Sequence, residues 1–491
     1  MLRIGSLQNG RNDYGIRRCT MKVKLITGGT IINANHMGEA DVIIEDEKIT
    51  AIVSPQSDVA LSALNGDTEV IDASGMYVIP GGVDAHVHLQ LPMTPEATSS
   101  DTFTTGTSAA AWGGTTTVID FAGQIKGTAI PDAIESRLEE ASGQCAIDYG
   151  FHLSIGDVNE QSLIDLSNLL DEGISSYKLF MAYPDSWYSD DGQILQVMQL
   201  AADTGAMIMM HAENGIAIDV LRDQAFKRGA TGSIWHGRTR PPELEGEAAH
   251  RAIQLASVAG SPLYIVHLSS SNALAEVARA RNNGRNVFAE TCPQYLYLSL
   301  EEHLDQSGVD GVRHICSPPL RKVADGHQDS LWKGLRTDNL SVVATDHCPF
   351  CDAEKMLGVD DFRQAPNGLG VIEHRMDLLF QGVLQGEISL HRWVEICSTT
   401  PARLFGLQGK KGVLAPGADA DVVIYDPKKE HVLGVETHHM AVDHSAWEGV
   451  AVTGQAVSVL SRGKYVVKDR EFVGDTGHGT FLKRSIPDVL R

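Results

Sequence analysis

A chain of 491 residues with 43% hydrophobic and 21% charged side chains is too long for one ordinary domain, has material for a sizeable core and shows no bias towards disorder. Its formal net charge of −23 repels nucleic acid and anionic lipid, and without an apolar run of 18 residues nothing in it spans a membrane. These features argue for a soluble enzyme acting on a small molecule.

Residues 1–21 contain Arg3, Arg11, Arg17 and Arg18 but no apolar segment, so they read as a disordered arm, with a transit peptide as the alternative and a secretory signal excluded. From Lys22 the texture is strand after strand: Lys22 to Ile26, Thr30 to Asn33, Ala40 to Glu45 and Lys48 to Val53. It returns in the stretch from Gly412 to Tyr425, in Val457 to Leu460 and in Lys464 to Val467. Residues 22–76 and 409–470 are therefore expected to build one discontinuous β-sandwich domain, leaving residues 471–491 as a tail.

Between these ends, over residues 77–408, eight short apolar runs alternate with amphipathic segments. The runs are Tyr77 to His88, Thr115 to Phe121, Ile147 to Ser154, Ser175 to Phe180, Ala206 to His211, Leu263 to His267, Val287 to Thr291 and Ser341 to Asp346. Helices are expected at Asp132 to Ala141, Gln161 to Leu170, Ile194 to Ala202, Glu247 to Val258 and Asn272 to Ala280, as crossovers between parallel strands require. Eight such units make an α/β fold, a (β/α)8 TIM-like barrel.

His86 and His88 end the first run, and in a strand residues i and i+2 share a face, so two imidazoles would stand together. Alone the pair means little, since 19 histidines give roughly 0.7 such pairs by chance. However, Lys178, His211, His267 and Asp346 lie at or near the C-terminal ends of the fourth, fifth, sixth and eighth runs, where barrel enzymes assemble their sites. Nitrogen and oxygen donors without thiolate favour zinc, with manganese, cobalt or nickel as alternatives. Lys178 either hydrogen-bonds substrate or is converted by carbon dioxide to a carbamate able to bridge two metals; the residues alone leave both open.

Seven scattered cysteines (Cys19, Cys145, Cys292, Cys316, Cys348, Cys351 and Cys397) fit a reducing compartment, and the lone Cys348-Pro-Phe-Cys351 lacks the second pair of a zinc cage. Arg240, Glu243 and Glu247 stand before a helix and read as capping and ion pairing.

Five segments together resemble the dihydropyrimidinase and D-hydantoinase family of cyclic amidohydrolases: Gly82-Val-Asp-Ala-His-Val-His88, Ser175-Ser-Tyr-Lys-Leu-Phe-Met-Ala-Tyr183, Met210-His-Ala-Glu-Asn-Gly215, Val266-His-Leu-Ser269 and Thr345-Asp-His-Cys-Pro-Phe350. The likeness runs in order from about residue 22 to the C-terminus. It implies two divalent metal ions, the first held by His86, His88, Lys178 as N6-carboxylysine and Asp346, the second by Lys178, His211 and His267. It implies further that Asp346 shuttles a proton from the attacking water to the leaving ring nitrogen, that Tyr183 stabilises the oxyanion, and that Ser317 and Asn367 bind the ring imide. Leu91, Met93, Phe180 and Trp187 resemble the positions around the ring's exocyclic substituent, although Pro184-Asp-Ser-Trp-Tyr188 departs from the family pattern. A homotetramer, with the segment from Phe481 to Arg491 reaching a neighbour, is also what the family implies.

The neutral Leu89-Gln90-Leu91 after the second histidine offers no cation for a substrate carboxylate, which disfavours the dihydroorotase- or allantoinase-like alternative. A reading from another class is a non-catalytic binder like the collapsin response mediator proteins, which share the fold but lack part of the ligand set. Here all six ligand positions are filled.

Overall fold

A computed structural model describes residues 22–64 and 67–486, so the N-terminal arm expected at residues 1–21 and the last five residues lie outside the described residues. Eight parallel strands, Gly82–Val87, Thr115–Gly123, Asp148–Ser154, Ser176–Phe180, Met207–His211, Leu263–Ile265, Val287–Thr291 and Val342–Val343, are hydrogen-bonded in chain order. Each falls within or overlaps one of the eight apolar runs. Their near-continuous burial is what a parallel sheet covered on both faces demands. The five expected helices are present as Ile130–Ala141, Glu160–Asn168, Asp191–Thr204, Pro242–Ala259 and Ser271–Asn282. Local chemistry sets their ends: Asp190 and Gln193 form a capping box, and Gly205 and Gly260 stop two of them at φ 81° and 75°.

The eighth strand is only two residues long, so backbone pairing alone closes the barrel weakly. A bridge between Val87 and His347 and the bond from His88 N–H to His347 O (2.8 Å) join last strand to first. Side chains complete the seam. The Asp84 carboxylate accepts from the Thr345 N–H (3.1 Å) and hydroxyl (2.7 Å). The buried Arg375 guanidinium donates to Val83 O and Val343 O, both at 3.0 Å, and lies 3.9 Å from Asp84.

The chain ends form two sheets. One orders Lys48–Val53, Asp41–Glu45, Val23–Thr27 and Thr68–Asp72; the other orders Glu471–Phe472, Lys464–Lys468, Val450–Ser461, Val422–Leu433, Tyr77–Pro80, Thr30–Ile32 and Met37–Glu39. Ile26, Val42, Ile44 and Ile71 from the first meet Ile31, Val78, Val422, Ile424 and Leu460 from the second in one apolar cluster, which makes a sandwich. Two expectations are corrected here. The first apolar run divides at Gly81: Tyr77–Pro80 pairs with Val422–Tyr425 in the sandwich, and only Gly82 onward is barrel. Gly81 allows the changeover because a Cβ there would lie 2.0 Å from Thr116 Oγ1. The stretch from Gly412 to Asp421 is not strand; Asn33 clamps it through both atoms of its amide at Leu414.

The tail runs across the floor of its own barrel. Tyr149 N–H donates to Thr480 O (3.1 Å), Leu482 N–H to Tyr149 O (2.7 Å) and Arg484 N–H to Gly173 O (3.0 Å). Leu482 joins Phe405, Met207 and Tyr264 in the cluster that fills the barrel. From Thr480 to Ser485 the tail thus bonds within its own chain, and residues 487–491 of the segment expected to reach a neighbour lie outside the described residues.

Arg375→Met should remove the guanidinium that bridges the seam and leave the Asp84 carboxylate buried without its cation. Denaturant unfolding is expected to show a loss of about 3–5 kcal/mol; a loss below about 1 kcal/mol would contradict the role assigned to the seam.

Candidate active site

Strand register builds the site. Parallel partners share a face, and Lys178 pairs with Met209, Met209 with Tyr264 and Tyr264 with Phe288, while Phe180 pairs one layer higher with His211. Lys178 and His211 therefore point into the barrel with the apolar cluster beneath them. By the same alternation Val266 faces inward, which would turn His267 out. Its backbone instead adopts φ 37°, and Tyr183 and Asp346 likewise have φ 61° and 50°. All three are non-glycine residues in the left-handed region, where each is strained and re-aimed at its strand's end.

Two sets of donor atoms face each other. His86 Nε2 and His88 Nε2 are 3.2 Å apart, and Asp346 Oδ1 lies 3.2 and 3.3 Å from them. Lys178 Nζ is 2.9 Å from His86 Nε2. Across from these, His211 Nδ1 is 3.0 Å from His267 Nε2. Two of the outer nitrogens are engaged elsewhere: His86 Nδ1 contacts Glu290 Oε1, and His211 Nε2 contacts Glu213 Oε2 at 2.8 Å, whereas His88 Nδ1 and His267 Nδ1 are buried without a hydrogen-bond partner. Glu213 fixes a tautomer of His211 in which the inward nitrogen carries the lone pair, the usual outer support of a metal-binding imidazole, and Glu290, whose carboxyl burial raises to about 8, holds the His86 ring from the corresponding side. Lone pairs brought together, with only Lys178 among them to donate, fit cations, and His86, His88 and Asp346 form a compact group able to hold one.

Electrostatics agree. Burial, with the Lys178 charge adding to it, pushes the His86 imidazole well below its ordinary value, and burial does the same to His267. Burial brings the Lys178 ammonium down to about 8, although Asp346 opposes this. Burial would raise the Asp346 carboxyl, but His86, His88 and Lys178 outweigh it and hold it at about 2. Burial and the Glu213 carboxylate push the Tyr183 hydroxyl up, so it stays a donor.

Above lies a cavity of about 320 Å³. Every site residue expected from the sequence lines it except His86: His88, Lys178, His211, His267 and Asp346 at the base, Tyr183, Ser317 and Asn367 as polar groups, and Leu91, Met93, Phe180 and Trp187 as apolar wall. Phe180 and Trp187 pack with ring centroids 5.5 Å apart. Ser317 Oγ is buried without a hydrogen-bond partner. The sequence reading missed Glu290 and Glu213. The only signal for Glu290 was a carboxylate inside an otherwise apolar strand, and Glu213 sat unremarked two residues after His211. Arg240 is ion-paired as expected, 4.0 Å from Glu213, and also lines the cavity, while Glu247 pairs with Arg251 (3.1 Å) and Glu243 sits in a helix's first turn. Cys348 and Cys351 are free thiols, as are the other described cysteines.

The Amidohydrolase family profile matches residues 77–466, and the chain belongs to that family. Relatives narrow this. The chain is 53% identical to the D-hydantoinase of Streptomyces coelicolor, covering 95% of this chain and 99% of that one, and 47% identical to the D-hydantoinase of Geobacillus stearothermophilus, covering 94% and 96%. The crystal structure of dihydropyrimidinase from Brevibacillus agri NCHU1002 superposes with a TM-score of 0.91 at 45% identity, over 95% of this chain and 99% of that one. Within the amidohydrolases the chain is thus a member of the dihydropyrimidinase and D-hydantoinase family, and a cyclic amidohydrolase.

Glu290 accepts from the Tyr264 hydroxyl (2.8 Å) and the His267 N–H (3.1 Å) besides touching His86, so it links both donor sets. Glu290→Gln should leave the fold intact and weaken metal retention about 10–100-fold, read by competition with a chromogenic chelator. Retention equal to wild type would show that Glu290 does not orient His86.

Proposed function

We propose that the protein opens the ring amide of 5,6-dihydropyrimidines and 5-substituted hydantoins to N-carbamoyl amino acids. The observation that carries this reading is the pair of facing donor sets at the base of a cavity with one apolar wall. His86, His88, Lys178 and Asp346 would hold one divalent cation, and Lys178, His211 and His267 a second, zinc being the metal that suits nitrogen and oxygen donors. Such cations, when bound, lower the pKa of water and polarise the ring carbonyl.

The chain's own groups do the rest. Asp346 takes the proton from the attacking water as its oxygen bonds to the carbonyl carbon, and returns it to the ring nitrogen as the C–N bond breaks. Tyr183 donates its hydroxyl hydrogen to the developing oxyanion. Ser317, whose Oγ has no protein partner, and Asn367 hold the imide. Leu91, Met93, Phe180 and Trp187 exclude water around the substituent. An amine brought to about 8 is partly neutral near physiological pH, which supports carbamate formation at Lys178.

Neutral substrates follow from the charges. The cavity's arginines are paired: Arg222 with Asp219 (2.8 Å), Arg363 with Asp361 (2.8 Å) and Arg240 with Glu213 (4.0 Å). None is left as a partner for the carboxylate of dihydroorotate. No helix among the described residues is long and apolar enough to cross a membrane, and the free thiols suit the cytoplasm. A homotetramer is the assembly in keeping with the family.

The zinc-loaded protein is expected to turn over dihydrouracil, hydantoin and phenylhydantoin in preference to allantoin and dihydroorotate; preference for either of the last two overturns the assignment. Absence of ring opening together with less than one metal per chain would favour the non-catalytic reading. Lys178→Ala should lose turnover by at least about 10³-fold and recover part of it with added short-chain carboxylates, while full activity would refute the carbamate.

A further inference from the structure

Lys355 is wholly buried at the end of the short helix Asp352–Lys355, and no carboxylate pairs with it among the described residues. Its ammonium spends all three N–H donors on backbone carbonyls: Ile315 O at 3.0 Å, Pro366 O at 2.9 Å and Gly368 O at 2.8 Å. Those acceptors come from two loops. Ile315 lies two residues before Ser317, and Pro366 and Gly368 flank Asn367. One further bond joins the loops directly, from Gly368 N–H to Ile315 O at 3.0 Å. Gly368 is fixed against Cys348, since a Cβ there would lie 2.1 Å from Cys348 O.

A buried ammonium without a counter-ion is costly, and three carbonyl dipoles in one tripod are what stabilises it. A purely apolar side chain of the same length would fill the volume without that cost. What it could not do is fix the separation of the two loops.

We propose that Lys355 is a positioning residue that sets the spacing between Ser317 and Asn367, so that recognition of the substrate's imide depends on its ammonium charge. This rests on the functional reading above, in which those two residues hold the imide. Since only the protonated form has three donors, the clamp loosens as pH rises through the lysine's pKa. Burial brings that value down to about 8. The thiols and imidazoles around it stay neutral across this range, since burial raises Cys316 and Cys348 and lowers His236, His314 and His444, and Asp352 on its own helix stays ionised throughout in its pair with Arg313. The sign follows. Substrate KM should be low below pH about 8 and climb above it.

The test uses the metal-loaded enzyme with dihydrouracil, whose imide stays protonated over the range. Lys355→Met is expected to raise KM about tenfold at pH 7 while kcat falls less than about threefold, and to abolish the rise of KM between pH 7 and 9 that wild type shows. In an Asn367→Ala background, Lys355→Met should add little further to KM, because both act on the same contact. A folded Lys355→Met enzyme with wild-type KM, or an effect that multiplies fully with Asn367→Ala, overturns the proposal. If the variant does not fold, the wild-type profile decides alone, and a flat KM from pH 7 to 9 overturns it. Wild type that opens no cyclic imide condemns the functional reading instead.

Discussion

The seam between the first and last barrel strands is the constraint on which the site depends. His86 and His88 stand on the first strand and Asp346 follows the last, so the 3.2 and 3.3 Å approaches of Asp346 to the two imidazoles exist only when the sheet closes. Two residues of strand cannot secure that closure. Asp84, Thr345 and Arg375 do it with charge-assisted bonds in a dry interior, where such bonds are strong and an unmatched group is costly. Burial lifts the Asp84 carboxyl in spite of the nearby guanidinium. The same side chains that complete the sheet therefore set the geometry of the donor atoms one layer above.

Much of this was legible because strands and helices write different periods. The eight apolar runs match eight strands, and the polar residues at or near the C-terminal ends of five of them stood out by their shared position. Lys178 shows both the reach and the limit of that reasoning. Its place on a strand was plain, yet its meaning rested on family likeness, and the burial that lowers its pKa is a tertiary effect no local pattern carries. Glu290 was missed for a related reason: its local trace, one carboxylate in an apolar strand, says nothing of the histidine 204 residues away that it supports. Tyr77–Pro80 was assigned to the barrel because an apolar run does not announce a change of sheet.

Three residues of the site also depart from relaxed backbone. Tyr183, His267 and Asp346 each hold positive φ, at about 1–3 kcal/mol apiece. Such conformations persist only when their surroundings over-determine them. For His267 the determinants are its N–H bond to Glu290 and its ring against His211; for Asp346, the Thr345 anchor to Asp84. The fold's own hydrogen bonds thus hold the donor set in place.

The tail that runs across the barrel floor has a consequence for biosynthesis. Leu482 belongs to the interior cluster, yet it is made long after the barrel strands it packs against. At about 5–20 residues per second, it follows the first barrel strand by about 20–80 s. For the last about 6–23 s of it, once Asn367 has been made, the nascent barrel holds every residue of its site but not yet the tail that covers its floor. A message cut short just before residue 478 would therefore encode the full chemical inventory on a shell open at its base, and quality control would meet it as a folding failure with an intact active-site sequence.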